Sequence, residues 1–160
     1  AGGETLAGWI YDPIADRMSW AVKGEGCYTN GEQVVALGAA GPGAPPHEVS
    51  GAISSRFCSA ELAQKLRRRA RELRQSHCLG SAGQEYLHLL DGRLQAALYH
   101  RLMPWDHAAG VLMYQEAGGY VALTDAEQPY EPRADIDGGA LLAAVNRDTW
   151  LGLRDFLFAD

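Results

Sequence analysis

From Ser50 onward, short apolar stretches take turns with segments of helical periodicity, and that alternation leaves the chain few architectures. Ser50–Phe57 holds a short strand, Ser59–Gln75 reads as a helix with Leu62, Leu66, Ala70 and Leu73 on one face, and His77–Leu79 as a second short strand. A turn at Gly80-Ser81 opens a helix over Ala82–Leu90, which Asp91-Gly92 stops. Leu94–His100 follows as a strand, then a helix from Pro104, a strand at Tyr120–Thr124, a buried strand at Ala140–Val145 and a closing helix over Asp148–Phe158. Strands and helices in this order bury their apolar faces only as stacked layers, so the class is α/β.

The first forty residues follow a different rule. Thr5–Tyr11 and Met18–Val22 are aromatic and β-branched runs punctuated by Asp12-Pro13 and Ala15-Asp16, which predicts a hairpin. Lys23–Gly31 ends on Asn30-Gly31, a turn signal, and Gln33–Leu37 reads as another strand. Gly38–Pro46 is a loop rich in glycine and proline. The expected division is therefore a β-hairpin region over 1–40, a linker over 41–49 and an α/β domain over 50–160. The chain opens at Ala1-Gly2-Gly3 and runs at once into a strand whose backbone groups need a partner, which predicts a preceding segment.

With 160 residues the chain can bury a real core. A net charge of −6 with no basic patch strong enough to suggest nucleic acid argues against a nucleic-acid polymer as partner. The arginines of the first long helix (Arg67, Arg68, Arg69, Arg71, Arg74) read as a solvated outer face. Cys27, Cys58 and Cys78 share no metal-ligand spacing and are odd in number, which fits reduced thiols and a cytoplasmic protein. No apolar run has the length of a membrane span.

Chemistry concentrates in Leu102–Gly119. Pro104 suits a first helical turn, and Asp106 then stands near the positive end of the helix dipole. Two readings stay open for Asp106: a helix cap, or an oxygen ligand for a divalent cation. Gly80-Ser81-Ala82-Gly83, between a strand and a helix, is either tight packing or a place where amides approach an anion; no Walker lysine follows. The five histidines form no metal array, although His100 and His107 flank Asp106 closely enough to line a site. Ser81, His100 and Asp106 could be drawn as a triad, but no nucleophile elbow supports it. Asp135-Ile136-Asp137-Gly138 lacks the remaining ligands of a calcium loop and reads as a turn.

Several blocks taken together resemble the inositol monophosphatase family. Trp105-Asp106-His107-Ala108-Ala109-Gly110 followed by Glu116-Ala117-Gly118-Gly119 resembles its second signature, and Gly8–Gly31 its central hairpin. Leu79-Gly80-Ser81-Ala82 resembles the segment whose backbone meets substrate, and Asp91-Gly92-Arg93 the turn after the next helix. The resemblance implies the C-terminal part of that family's layered α/β sandwich, with the hairpin left over from its first sheet. It implies a phosphomonoesterase acting on a small phosphorylated metabolite, Asp106 as a catalytic Mg2+ ligand, Gly80, Ser81 and Ala82 along the substrate pocket, and a homodimer.

Two departures matter. The family's upstream Glu and its Asp-Pro-Ile-Asp-Gly-Thr segment, which supply most of the metal ligands, have no counterpart and would lie before Ala1. Alone, the 160 residues are therefore expected to be inactive, and a non-catalytic binding module is the rival reading. Second, the family's hydroxyl-gripping Glu is replaced by Tyr99, and Arg101 stands where glycine is common. That points away from inositol toward another sugar or polyol phosphate, with Tyr99 at the substrate, or toward a nucleotide phosphate such as 3′-phosphoadenosine 5′-phosphate.

Overall fold

The computed structural model describes residues 3–34, 43–133 and 139–159. Its first sheet is an antiparallel meander, β1 (Ala7–Asp12), β2 (Arg17–Val22), β3 (Gly26–Thr29) and β4 (Glu32–Gln33), in that spatial order. Asp12 closes the first turn by accepting the amides of Ile14 and Ala15 at 2.9 and 3.2 Å. Trp20 and Tyr28, directly paired across β2 and β3, stack with ring centroids 4.5 Å apart. The strand expected at Gln33–Leu37 is seen only as far as Gln33; residues 35–42 and Asp135–Gly138 lie outside the described set.

The second sheet contains β5 (Ser50–Ile53), β6 (Gln75–Ser76), β7 (Ala96–Tyr99), β8 (Tyr120–Leu123) and β9 (Leu141–Ala144), ordered β6-β5-β7-β9-β8. Helices α1 (Ala60–Ala70), α2 (Ala82–Leu90), α3 (Pro104–Glu116) and α4 (Arg147–Phe158) alternate with these strands. β5, β6 and β7 are mutually parallel, whereas β9 runs antiparallel to both β7 and β8. The short strand expected within Ser50–Phe57 is β5, which ends at Ile53 and gives way to a loop. Two other boundaries differ from the expected ones. The helix from Ser59 stops at Ala70, so Leu73 is buried from the segment beyond it, and the short strand falls on Gln75–Ser76 rather than His77–Leu79. Burial of an apolar side chain does not require a regular element, and this is where periodicity overreaches.

Alternation along the strands sorts the core into two faces. Ala52, Ala97, Tyr99, Leu141 and Ala143 join Tyr86, Leu89, Leu112 and Met113 of α2 and α3 in one cluster. Ile53, Ala96, Leu98, Leu142 and Ala144 meet Leu66 of α1 and Trp150, Leu153 and Leu157 of α4 in the other. The arginine-rich side of α1 faces out: Arg67, Arg68 and Arg71 are exposed, and Arg69 lies over the Phe156 ring at 5.1 Å. α3 has the second sheet on one side and the first on the other. A Cβ on Gly8 of β1 would come within 2.6 Å of the Ala109 Cα, so only glycine permits this approach of strand and helix. Arg17 and Asp91 form an ion pair at 2.6 Å, and Gln84 donates to Asp12 at 3.1 Å, binding the first sheet to α2 as well.

Candidate functional site

The parallel strands β6, β5 and β7 all end at the same edge of the second sheet. The chain leaves β5 for its neighbour β6 and then crosses to the opposite neighbour β7, so the strand order reverses at β5. In open α/β sheets a crevice forms outside the carboxyl ends of strands at such a reversal, where ligands bind. The segments that follow these strands meet here in a cleft of about 680 Å³. Ser54, Arg56 and Phe57 come from the loop after β5, Gly80–Gly83 from the turn after β6, and Tyr99–Arg101 with Trp105–His107 from the end of β7 and the start of α3. Trp9 and Ile10 of the first sheet complete it. The structure thus brings together Gly80, Ser81, Ala82, Tyr99 and Asp106, with His100 and His107 beside them.

Asp106 stands in the first turn of α3, whose N-cap Met103 makes no side-chain capping bond. The Asp106 carboxylate is exposed and has no hydrogen bond or ion pair with a described residue. It therefore does not act as a cap; it stays available to solvent or a ligand. Ser81 is the N-cap of α2 and accepts the Gln84 amide at 3.4 Å. Gly80, at φ +75°, turns the chain into that helix in the left-handed region that disfavours side chains. The amides at the start of α2 so face the cleft at the positive end of its dipole.

Glu85 was not singled out by sequence reasoning. It is 5% exposed, and its Oε1 accepts the amides of Leu79 and Gly80 at 2.8 and 3.4 Å, holding the loop that carries Gly80. Burial raises its pKa, against the lowering effect of those two bonds. The Tyr99 hydroxyl lies against this carboxylate without a hydrogen bond of regular geometry.

His107 is a buried structural brace. Its Nε2 lies 2.9 Å from the Arg101 carbonyl oxygen, which can only accept, so Nε2 carries the proton. Nδ1 then accepts from the Tyr86 hydroxyl at 3.1 Å. Burial lowers the His107 pKa, and the ring packs 4.7 Å from the Tyr99 ring and 6.3 Å from the Tyr130 ring. His100 is half-buried with its pKa lowered for the same reason. Neither histidine is arranged as a general base toward Ser81, whose hydroxyl is spent on the α2 cap.

A divalent ion needs several oxygen ligands around one point, and two-metal phosphate chemistry needs more. Among the described residues no three His, Cys, Asp or Glu side chains converge in a way that could hold a metal. Asp106 fits one corner of such a site, and Glu85 is engaged with backbone amides. The donor set does not fit a complete metal centre, and no catalytic step is assigned to an ion here.

A layered α/β fold with its cleft at a strand-order reversal, opening on a helix N-terminus, is the class of architecture in which open α/β sheets offer a place to small anionic ligands. The chain belongs to the inositol monophosphatase family, whose model matches residues 1–152. It is 26% identical over 160 residues to an inositol-1-monophosphatase of Caulobacter vibrioides, covering 92% of this chain and 56% of the relative. Over 120 residues it is 29% identical to the fructose-1,6-bisphosphatase/inositol-1-monophosphatase of Thermotoga maritima, covering 74% of this chain and 44% of the relative. The solved structure of the extragenic suppressor protein suhB from Bartonella henselae superposes with a TM-score of 0.82 at 24% identity, over 99% of this chain and 58% of that one. The chain spans about half the length of the curated relatives it matches. No helix among the described residues is long and apolar enough to cross a membrane.

Proposed function

We propose that the cleft beside Asp106 is the substrate side of a Mg2+-dependent phosphomonoesterase acting on a small sugar or polyol phosphate. One juxtaposition carries the reading: the unpartnered carboxylate of Asp106 and the N-terminus of α2 line a single cleft. In this reading the amides at the start of α2 receive the phosphate, Gly80, Ser81 and Ala82 form the wall, and Tyr99 forms the floor. Asp106 supplies one oxygen ligand to the ion, and the remaining ligands come from groups other than the described residues. The names of the Caulobacter and Thermotoga relatives, an inositol-1-monophosphatase and a bifunctional sugar-bisphosphatase, support this chemistry.

The lack of a three-ligand cluster among the described residues favours a second reading, a module that binds phosphate esters without hydrolysing them. One assay separates the two. The full-length gene product is incubated with Mg2+ and a panel of sugar, polyol and nucleotide monophosphates, and inorganic phosphate release is followed. Turnover that falls at least a hundredfold on Asp106→Asn supports the esterase. Background release on every compound leaves the binding module.

A further inference from the structure

Beyond the wall that receives the phosphate, the same cleft holds two cations on one aromatic ring. The guanidinium carbons of Arg56 and Arg101 lie 5.3 and 5.4 Å from the centroid of the Phe57 ring. Both arginines are exposed, and neither has a carboxylate partner among the described residues. Stacking on a ring uses the flat face of a guanidinium and leaves its N–H edge free to donate. Two like charges meeting on one ring without a counterion are unfavourable unless an anion joins them.

The backbone brings this pair together deliberately far apart in sequence. Arg56 follows β5 and Arg101 follows β7, the adjacent parallel strands that flank the reversal of strand order. The Ser54 amide donates to the Leu98 carbonyl at 3.2 Å, tying the first loop to the second strand, and Ser54 Oγ accepts the Arg56 amide at 3.3 Å. The Arg101 carbonyl is held by His107. Phe57 keeps φ at +61°, a costly conformation for an aromatic residue, and the residue is 62% exposed at the cleft. Strain, exposure and unpaired charge thus coincide at one point of the cleft wall.

We propose that Arg56, Phe57 and Arg101 form a second anion subsite, and that the cleft prefers phosphate esters bearing another anionic group, a phosphate or a carboxylate. This rests on the reading that the cleft takes a phosphate ester. Arg101 then sets specificity: its guanidinium selects a second negative charge.

The test is binding to the 160-residue chain by calorimetry, using fructose 1,6-bisphosphate against fructose 6-phosphate, and 6-phosphogluconate against sorbitol 6-phosphate. The dianionic-site ligand of each pair binds at least tenfold tighter, the size of one charge-assisted hydrogen bond. Arg101→Gln and Arg56→Gln each remove most of that advantage while leaving the monophosphates within twofold. Arg101→Lys, which keeps charge but not the planar stack, retains part of it. A gain in the first pair alone assigns the subsite to phosphate, and in the second alone to carboxylate. Equal affinity within both pairs overturns the proposal, as does a variant that weakens every ligand alike. Because the readout is binding, a bisphosphate preference without any phosphate release by the full-length product would sink the esterase and leave the subsite standing.

Discussion

Glu116, at the C-terminus of α3, accepts the backbone amide of Gly26 at 3.0 Å through one carboxylate oxygen, while the other takes the Gly24 amide at 2.8 Å. One side chain thereby closes the turn between β2 and β3 from the far end of the helix that carries Asp106. Charge-assisted bonds to backbone N–H are worth more than neutral ones, and Glu116 is half-buried. Glu116→Ala is expected to cost about 1–3 kcal/mol. Urea unfolding measures it, and Glu116→Gln, which keeps one acceptor, should fall between the two.

Gly110 separates packing from propensity. A Cβ there would stand 2.1 Å from the Tyr86 ring, which is fully buried. Gly110→Ala is expected to destabilise by about 3 kcal/mol or more, since neither α2 nor α3 can retreat from a filled core. Gly152 in α4 has open space around its Cα. There the same change should stabilise by roughly 0.5–1 kcal/mol by removing glycine from a helix interior. Matched unfolding curves of the two variants check both signs.

The buried, neutral His107 makes stability depend on pH in a defined sense. Its folded pKa is lowered from 6.5, so the unfolded chain takes up the proton first. The contribution is complete above the unfolded value and is lost as pH falls through the folded one. Denaturation midpoints measured between pH 8 and 5 should decline on the acid side, and His107→Gln should flatten that decline. His100, also lowered, adds to the same slope and keeps it from vanishing entirely.

Glu85 acts in the opposite sense. Its pKa is raised by burial, so its contribution is fully present below the unfolded value near 4.5 and is lost as pH rises through the folded value. Glu85→Gln keeps an acceptor for the Leu79 and Gly80 amides and removes the buried charge. The variant should gain on the parent as pH climbs from 4 to 7, whereas Glu85→Ala should lose stability throughout. Pairwise denaturation at the two pH values settles the order.

Much of this was readable from residue order. The strand and helix sequence after Ser50, the Pro104 start of α3 and the cleft's Gly80, Ser81 and Asp106 follow from periodicity, turn chemistry and a family block. What was not readable came from places where the chain leaves regular structure. Ser54–Phe57 carries no periodicity of its own, so nothing in residue order marks the exposed Phe57 and its two arginines. Arg56 and Arg101 are 45 residues apart, and only a parallel pairing of β5 with β7 makes them neighbours. Glu85 looked like one more helix residue because no local rule marks an acid that will accept bonds from the preceding loop.

α3 meets β1 of the first sheet at Ala109 and holds the β2–β3 turn through Glu116, and it begins at the cleft. Occupancy of the cleft and docking of the meander are therefore one linked equilibrium. Any ligand that prefers the docked arrangement protects β1–β3 by RT ln(1 + [L]/Kd). Slowed hydrogen exchange at Trp20 and Tyr28, residues that touch no ligand, would make the first sheet a gauge of what is bound at Asp106.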